Sequence, residues 1–258
     1  TYALAAASVS NYQFDHWSSV RSVHITNTAQ PSTTVWFDSS GWDGWCLGGI
    51  TLSYAKTYTI TVNTNPSGLD SPEGGGTYTQ GTVITISVSD VAGYVFVKWQ
   101  RDGNDWATQK SFQYTVDASH TFTANFQQIV QTTITSSPTG SGFVTVDGTP
   151  TTTPQVYSWV TGSSHTIAAN SPVSCGSGCR YVWTSWSDGG SQSHSITVPS
   201  SPTTFTANFK TQYYLTVVSQ YGSPSPTSDW YDAGSSISAS VNSPVSGVTG
   251  TQYVCTGW

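Results

Sequence analysis

The sequence predicts an all-β protein, built as a linear array of small antiparallel β-sandwich-like repeat modules with the terminal modules incomplete. Three observations indicate this class. Of the 258 residues, 41 are Ser and 40 are Thr, whereas Lys, Arg, Asp and Glu together make only 8%, too little for amphipathic helices. The 11 Trp, 14 Tyr and 9 Phe favour half-buried strands. Phrases also recur along the chain, as they do in repeat architectures.

The clearest recurring phrase closes a module. It reads SHTFTANF at 119–126 and PTTFTANF at 202–209, and a weaker copy, STTVWF, stands at 32–37. Aromatic strands that end in Trp recur at 12–17, 94–99, 181–186 and 253–258. These phrases predict four modules: 1–56, which lacks an opening strand; 57–128 and 129–211, which are complete; and 212–258, which lacks closing strands.

Hydrophobic residues within a module follow the period of a strand. Ile84, Ile86 and Val88 alternate with Thr and Ser, and the same alternation holds at Phe122 and Phe126. A period of two places one face on a core and the other face in water, as antiparallel sheets allow. Each closing strand runs almost directly into the next opening strand, so the linkers are short and the modules are expected to stack as a stiff rod.

The phrases GGGTYTQGTVITISV, GYVFVKW, SFQYTV and HTFTANF follow one another in the second module and resemble the divergent B-repeat of internalin-type surface proteins. Similar repeats occur in cell-surface proteins of archaea and bacteria. The resemblance implies a secreted or cell-surface location and a role in architecture or adhesion, and it brings no catalytic residues. The Trp-rich segment SSGWDGWCLGG at 39–49 departs from the family pattern, and so does a cysteine loop in the third module.

Composition argues against several classes of function. The net charge is -6 at pH 7 and no basic run is present, so nucleic acid is a poor partner. No apolar stretch reaches the roughly 18 to 20 residues that cross a bilayer. No nucleophile motif surrounds the histidines, which are interpreted as strand or loop residues: His16, His24, His120, His165 and His194. We therefore expect a protein that is not an enzyme.

The four cysteines fall into two groups. Cys175 and Cys179 are separated by Gly-Ser-Gly, which lets a tight loop bring the two sulfur atoms together, so a local disulfide is expected. Cys46 and Cys255 remain. They are candidates for a long-range disulfide with each other, for an intermolecular disulfide, or for bonds to cysteines of a longer polypeptide.

The aromatic residues also fall into two groups. Those that recur at one position of the module are predicted to fill the cores: Trp17, Trp99, Trp186, Trp258, Phe37, Phe126 and Phe209. Others lie in loops rich in Gly, Asp and Ser, where a ring can stack on a sugar or contact a neighbouring chain: Trp42, Trp45, Trp106 and Trp230. The second group makes a glycan a candidate partner.

One short run, DGND at 102–105, offers oxygen ligands of the kind that Ca²⁺ prefers. The other positions of an EF-hand loop are missing. Ca²⁺ near Asp102 and Asp105 is therefore an alternative to the expectation that the chain holds no metal and no cofactor.

The incomplete terminal modules carry the functional expectation. A truncated sheet leaves backbone N–H and C=O groups and half a core exposed, which natural proteins avoid. Flanking modules of a longer chain would cover these edges, or copies of the same chain would do so by head-to-tail strand addition, with residues 18–38 completing the fourth module. We expect an extracellular structural protein that forms a cell-surface filament or layer, with an adhesin or carbohydrate-binding rod as the alternative.

Overall fold

The computed structural model describes residues 2–19, 23–25, 29, 32–37 and 50–258. These residues form strands, turns and bends and contain no helix, which confirms the all-β prediction. Within the same residues there is accordingly no helix with the length and apolar character that crossing a membrane requires.

The described residues form 24 strands. The first ten are Tyr2–Ala5 (β1), Tyr12–Ser19 (β2), Val23–Ile25 (β3), Ser32–Phe37 (β4), Ile50–Asn65 (β5), Gly76–Thr79 (β6), Val83–Ser87 (β7), Tyr94–Arg101 (β8), Asn104–Ala107 (β9) and Ser111–Thr115 (β10). The next nine are His120–Ser137 (β11), Gly140–Val146 (β12), Thr149–Thr153 (β13), Gln155–Val160 (β14), Ser164–Ala169 (β15), Val173–Gly176 (β16), Cys179–Trp186 (β17), Ser193–Thr197 (β18) and Thr203–Leu215 (β19). The last five are Pro224–Ser225 (β20), Asp229–Asp232 (β21), Ser240–Val241 (β22), Val245–Ser246 (β23) and Gln252–Tyr253 (β24).

The chain divides into two compact units, Thr1–Gln127 and Gln128–Trp258. In the first unit the long strand β5 pairs antiparallel with β2 through its first half, and through its second half with β6 and β11. Strand β8 pairs with β11 and β9. Two further sheets have the strand orders β1-β4-β3 and β10-β7.

The core of the first unit contains the apolar residues that the alternation pattern places on one face. Its buried members are Ile60, Ile84, Ile86, Val88, Trp99, Tyr114, Val116, Phe122, Ala124 and Phe126. Aromatic rings meet edge to face here, as Trp99 and Phe112 do with ring centroids 5.8 Å apart. Full burial of one such side chain contributes about 1.5–3 kcal/mol.

The second unit repeats this plan. Strand β19 pairs with β17, β11 and β21, β11 also pairs with β14, and a four-stranded sheet has the order β13-β12-β15-β18. The buried members of its core are Ile134, Phe143, Val144, Val146, Ile167, Ala169, Trp186, Ile196, Phe205 and Ala207. The strand that carries the repeated Trp again lies beside the closing strand, as β17 lies beside β19.

Most pairings in the described residues are antiparallel, as predicted, and two are parallel. Residues 120–125 of β11 pair in parallel with residues 60–65 of β5, and residues 203–208 of β19 pair in parallel with residues 132–137 of β11. The reason is that a whole module connects the two strands of each pair, and a connection of that length permits a parallel crossover. Alternation along a strand identifies its buried face but carries no information about the direction of a distant partner.

The structure also corrects the interpretation of STTVWF as a closing phrase. Strand β4, which contains these residues, pairs antiparallel with β1 and β3. The strand that carries Trp17 pairs instead with the first half of β5, where Trp17 lies opposite Leu52. Residues 50–56 therefore form the closing strand of the first module, because pairing beside the Trp strand defines that position in the other modules.

Candidate functional site

Within β5, β11 and β19, an equivalent backbone hydrogen bond marks the point where the closing strand of one module continues into the opening strand of the next. The bond is 2.9 Å long in each case: the N–H of Gln80 donates to the carbonyl of Lys56, that of Thr161 to Gln128, and that of Ala233 to Thr211. Lys56, Gln128 and Thr211 are therefore equivalent. Counting forward from these positions, residues 60–65, 132–137 and 215–220 are equivalent, and we call them the opening segments.

The first two opening segments are covered by a parallel partner and the third is not. Residues 120–125 cover 60–65, and residues 203–208 cover 132–137. Ile60 and Thr132 retain 1% and 0% of their exposed surface, whereas the equivalent Leu215 retains 38%. Val218 lies farther along the third opening segment and is 77% exposed. Leu215 is therefore exposed where the equivalent Ile60 and Thr132 are buried, whereas the positions equivalent to Val218 are the polar residues Asn63 and Thr135, which are not buried.

The backbone of the third opening segment has one unpaired edge. The N–H of Tyr214 donates to the carbonyl of Gly178 over 2.9 Å, and the N–H of Val217 donates to Oγ of Ser228 over 2.8 Å. Successive residues of a strand direct their N–H groups to opposite edges. Residues 216–219 lie beyond the end of β19, and in an extended conformation they would direct the N–H groups of Thr216 and Val218 to the edge of Tyr214, where the described residues offer no strand partner.

Residues 216–258 form a loose structure around this edge. Their strands β20, β22, β23 and β24 contain two residues each. Several large apolar side chains in residues 213–258 are exposed: Tyr213, Tyr214, Leu215, Val218, Tyr221, Ile237, Val248, Val254 and Trp258. A cavity of about 430 Å³ opens beside them, lined among others by Val218, Val245 and Cys255. Tyr221 and Tyr253 stack at its wall with centroids 3.6 Å apart.

The predicted core aromatics differ in burial. Trp17, Trp99 and Trp186 are buried, as is Phe126, while Phe209 is half-buried and packs against the second core. Trp258 departs from the prediction because it is 71% exposed. No closing strand lies beside it in the described residues, so the pocket that would hold its ring is absent there. The side chain of Phe37 lies outside the described part.

Two of the predicted contact aromatics carry a stacked guanidinium. The Arg101 guanidinium lies 3.9 Å from the ring centroid of Trp106, and that of Arg180 lies 4.2 Å from that of Trp230. Trp106 is 43% exposed and borders an open cavity of about 340 Å³. Trp230 is half-buried and meets Tyr214 edge to face. Trp42 and Trp45 lie outside the described residues.

The same polar triad stands beside each of these Arg–Trp pairs. Asp105 accepts hydrogen bonds from Lys98 over 2.7 Å and from Gln100 over 3.2 Å. In the second unit Asp232 accepts them from Lys210 over 2.8 Å and from Gln212 over 2.7 Å. The ammonium group is the main cause that lowers the pKa of each carboxyl below its ordinary value, followed by the amide. Each cluster thus presents one aromatic ring, two cations, one carboxylate and one amide.

Three of the four cysteines lie in the described residues. The predicted disulfide joins Cys175 and Cys179, whose Cα atoms are 5.2 Å apart. Cys255 is an exposed free thiol. Cys46 lies outside the described residues, so its pairing stays a prediction.

The two carboxylates of the DGND run serve different partners. Asp102 accepts a hydrogen bond of 2.9 Å from the N–H of Thr121, and one of its oxygens lies 2.5 Å from the ring of His120. These two contacts, the backbone one first, lower the pKa of Asp102. Asp105 contacts Lys98 and Gln100 instead. No cluster of three His, Cys, Asp or Glu side chains that could hold a metal occurs in the described ranges.

Asp102 lies in a two-residue turn that was not predicted from the sequence. Asp102 and Gly103 have φ angles of 51° and 83°, and Asp147 and Gly148 have 48° and 78°. These left-handed pairs form two-residue hairpin turns, for which Asp-Gly is a strong signal. Asp147 accepts from the N–H of Thr166 over 2.8 Å and contacts the ring of His165 at the same distance. The His165 contact, followed by the Thr166 bond, lowers the pKa of Asp147.

The other described histidines contact carboxylates as well. The ring of His16 lies 2.8 Å from Asp15, and that of His194 lies 2.9 Å from Asp188. The side chain of His24 is outside the described part. The ring of His165 also lies 3.0 Å from Oγ of Ser163, whose hydroxyl donates to the carbonyl of Val160 over 2.7 Å, and the ring of His194 lies 2.8 Å from the carbonyl oxygen of Ser191.

Comparison with protein families supports the resemblance. Residues 58–130 match the family described as the divergent InlB B-repeat domain. The match contains the β strands from the second half of β5 to the middle of β11, and it confirms that this segment is similar to the B-repeat. No curated protein matches the chain.

Proposed function

We propose that this chain is an extracellular structural repeat protein that forms a cell-surface filament or layer from copies of itself. The unit of construction is a β module closed by a parallel strand. Two modules of this kind contain buried cores on the same plan.

The exposed third opening segment is the observation that carries the proposal. Leu215 is 38% exposed where its counterparts Ile60 and Thr132 are buried. An uncovered strand edge with apolar side chains is a template for another strand. A structural protein uses such an edge to add the next copy, because the backbone hydrogen bonds then continue the sheet.

The location outside the cell is supported by two observations. Residues 58–130 are similar to a B-repeat of the internalin type, which is a surface-protein module. The disulfide between Cys175 and Cys179 persists in oxidising compartments, whereas cytosolic thiols are kept reduced. The expectation that the modules stack as a stiff rod comes from the sequence, because QQIVQ at 127–131 joins two modules without Gly or Pro.

The proposal assigns the chain no catalysis and no cofactor. Titratable side chains that meet in the described residues include the pair of His165 with Asp147 and the group of His120 with Asp102 and Asp117, and these contacts connect loops and turns to strands. Ca²⁺ has no role in it, since Asp102 and Asp105 are engaged with side chains and backbone of the module itself.

Sedimentation velocity over a range of protein concentrations, followed by negative-stain electron microscopy, tests this function. We expect the purified chain to form regular fibres or sheets above a critical concentration. The matched variants are Leu215→Asp and Thr227→Asp: the first places a charge on the exposed edge and should abolish assembly, while the second adds the same charge in a turn and should not. A chain that stays monomeric at all concentrations contradicts the proposal.

Adhesion through a carbohydrate is the second candidate, and the two Arg–Trp clusters favour it. Four of the seven basic residues belong to these clusters. Titration of the chain with a panel of neutral and acidic oligosaccharides, followed by Trp fluorescence and NMR, tests this alternative. Saturable binding that Trp106→Ala weakens, with Trp258→Ala as the control, would support an adhesin.

A further inference from the structure

Among the described residues, one edge of the closing strand of the first module has no strand partner, and this edge complements the third opening segment. Its closing strand, residues 50–56, pairs antiparallel with β2 on one side. In the other modules the opposite side of the closing strand holds the opening segment in parallel. Among the described residues no strand takes that place beside residues 51–55.

A bulge shared by two modules fixes which residues of this closing strand are equivalent to those of another. In the third module Trp186 lies opposite Ala207 and Ser185 opposite Asn208, and the register shifts by one residue between Trp183 and Ser185. In the first module Trp17 lies opposite Leu52 and His16 opposite Ser53, and the register shifts between Phe14 and His16. Leu52 is therefore equivalent to Ala207, and Ser53 to Asn208.

The register between an opening segment and its closing strand is constant. Asn65 pairs with Asn125 and Ser137 pairs with Asn208. Gln220 is the equivalent of Asn65 and Ser137 on the opening side. Ser53 is the equivalent of Asn208 on the closing side.

We propose that residues 217–220 of one copy pair in parallel with residues 50–53 of a second copy, with Gln220 opposite Ser53 and Val218 opposite Thr51. This inference rests on the proposed assembly function and names the two edges that carry it. It replaces residues 18–38 as the completing segment, because β4 already has strand partners on both sides.

The side chains of the two segments suit this register. Val217 would lie opposite Ile50, where the complete modules place Val62 opposite Phe122 and Ile134 opposite Phe205. The two pairs in the complete modules are apolar and belong to the cores.

The next pair repeats a second pattern. Ser219 would lie opposite Leu52, as Ser136 lies opposite Ala207 in the third module, so a small hydroxyl again faces an aliphatic residue.

A second strand accompanies the opening segment. Strand β21 pairs with residues 212–215, as β6 pairs with residues 57–60 and β14 with residues 129–134. Residues 212–233 of one copy thus contain the first two strands of a complete module, namely the opening strand and β21, which pairs with it. Residues 1–56 of another copy contain the strands that follow. Because the two surfaces are different, the contact is heterologous and repeats head to tail into an open chain.

Site-directed disulfides test the register. The test pair is Thr51→Cys with Val218→Cys, in a background of Cys46→Ser and Cys255→Ser. The control pair is Lys56→Cys with Val218→Cys. Opposite residues of neighbouring strands are about 5 Å apart, within disulfide reach, whereas a five-residue offset adds about 17 Å.

Both variants are first assembled, checked for fibres by electron microscopy, and then oxidised mildly. We expect a ladder of covalent multimers on a non-reducing gel for the test pair and only monomer for the control pair. Fibres without a ladder, or equal ladders for both pairs, overturn the inference while the assembly function stands. If neither variant nor the unaltered chain assembles, the function itself fails and the inference with it.

Proline provides a second test that does not depend on cysteine. Val218→Pro removes the N–H that would donate to the second copy, whereas Val218→Ala keeps it. The proline variant should raise the critical concentration at least tenfold relative to the alanine variant, with unchanged circular dichroism of the monomer. Equal critical concentrations for the two variants would contradict strand pairing at this edge.

Discussion

Residues 57–128 and residues 212–258 carry similar strand patterns and reach different structures. In the first range Ile84 and Ile86 of β7 are buried beneath the closing strand. In the second range Ile237 belongs to the equivalent phrase GSSISASV and is exposed. The difference shows that alternation places apolar residues on one face of a strand. These residues are buried where the parallel closing strand completes the module.

The two tryptophans at the same module position should differ most. Trp99→Ala removes a fully buried ring and should lower the free energy of unfolding by about 3–5 kcal/mol, from lost burial and the cavity left behind. Trp258→Ala should change it by less than about 0.5 kcal/mol because this ring is exposed. Urea unfolding followed by far-ultraviolet circular dichroism measures both. Equal losses would mean that Trp258 is covered in the isolated chain.

The equivalent aliphatic residues of two opening segments, Ile60 and Leu215, should respond differently to replacement by alanine. Ile60→Ala should cost about 2–5 kcal/mol in the monomer, since Ile60 is buried in the core beside the closing strand. Leu215→Ala should leave the monomer nearly unchanged and weaken assembly, because its side chain is covered only when a second copy adds its strand. Unfolding of the monomer and the critical concentration of assembly are the two measurements. A large loss of monomer stability from Leu215→Ala would contradict this assignment.

The disulfide should have a smaller, local effect. Cys175→Ser with Cys179→Ser removes the link across a short loop, and the chain-entropy estimate for a loop of this length is about 2 kcal/mol. The change should destabilise the second unit, which contains β16 and β17, and leave the first unit unaffected. Hydrogen exchange of the two units measures this, and equal loosening of both units would contradict it.

The smallest effect concerns acid. Because hydrogen bonds to His165 and Thr166 lower the pKa of Asp147 in the folded protein, this group stabilises the fold at pH values above its unfolded pKa of about 3.9. That contribution is lost as the pH falls through the lower folded pKa. Because the Asp147 side chain is half-exposed, Asp147→Asn should cost only about 0.5 kcal/mol at pH 6, and this cost should fall as the pH falls through the folded pKa. Urea unfolding at several pH values tests this, with the exposed Asp90→Asn as the control.

The sequence predicted what depends on local patterns. Strand period gave the buried faces of β7 and β11, Gly-Ser-Gly gave the disulfide of Cys175, and the recurring Trp gave the core positions of Trp99 and Trp186. The role of STTVWF was wrong because short β-branched phrases fit any strand of such a module. Its identity as closing or inner strand depends on which strand lies beside it, and that is set by contacts across the whole module.

Other features required three-dimensional placement. The Asp102-Gly103 pair was interpreted through its oxygen atoms, although the dipeptide alone favours a hairpin turn and its left-handed φ angles confirm that conformation. The Arg180–Trp230 cluster could not be predicted from the sequence, because these residues are 50 positions apart and meet through β19, which pairs with the strands of both. Parallel pairing was likewise outside the reach of patterns within single strands.

Hydrogen exchange at the backbone amides of the opening segments tests the central claim most directly. In monomeric protein we expect the amides of Thr61 and Asn63, the equivalents of Thr216 and Val218, to be protected by β11, and those of Thr216 and Val218 to exchange freely. In the assembled protein Thr216 and Val218 should become as protected as Thr61 and Asn63. Strong protection of Thr216 and Val218 already in the monomer, or none after assembly, would contradict the account.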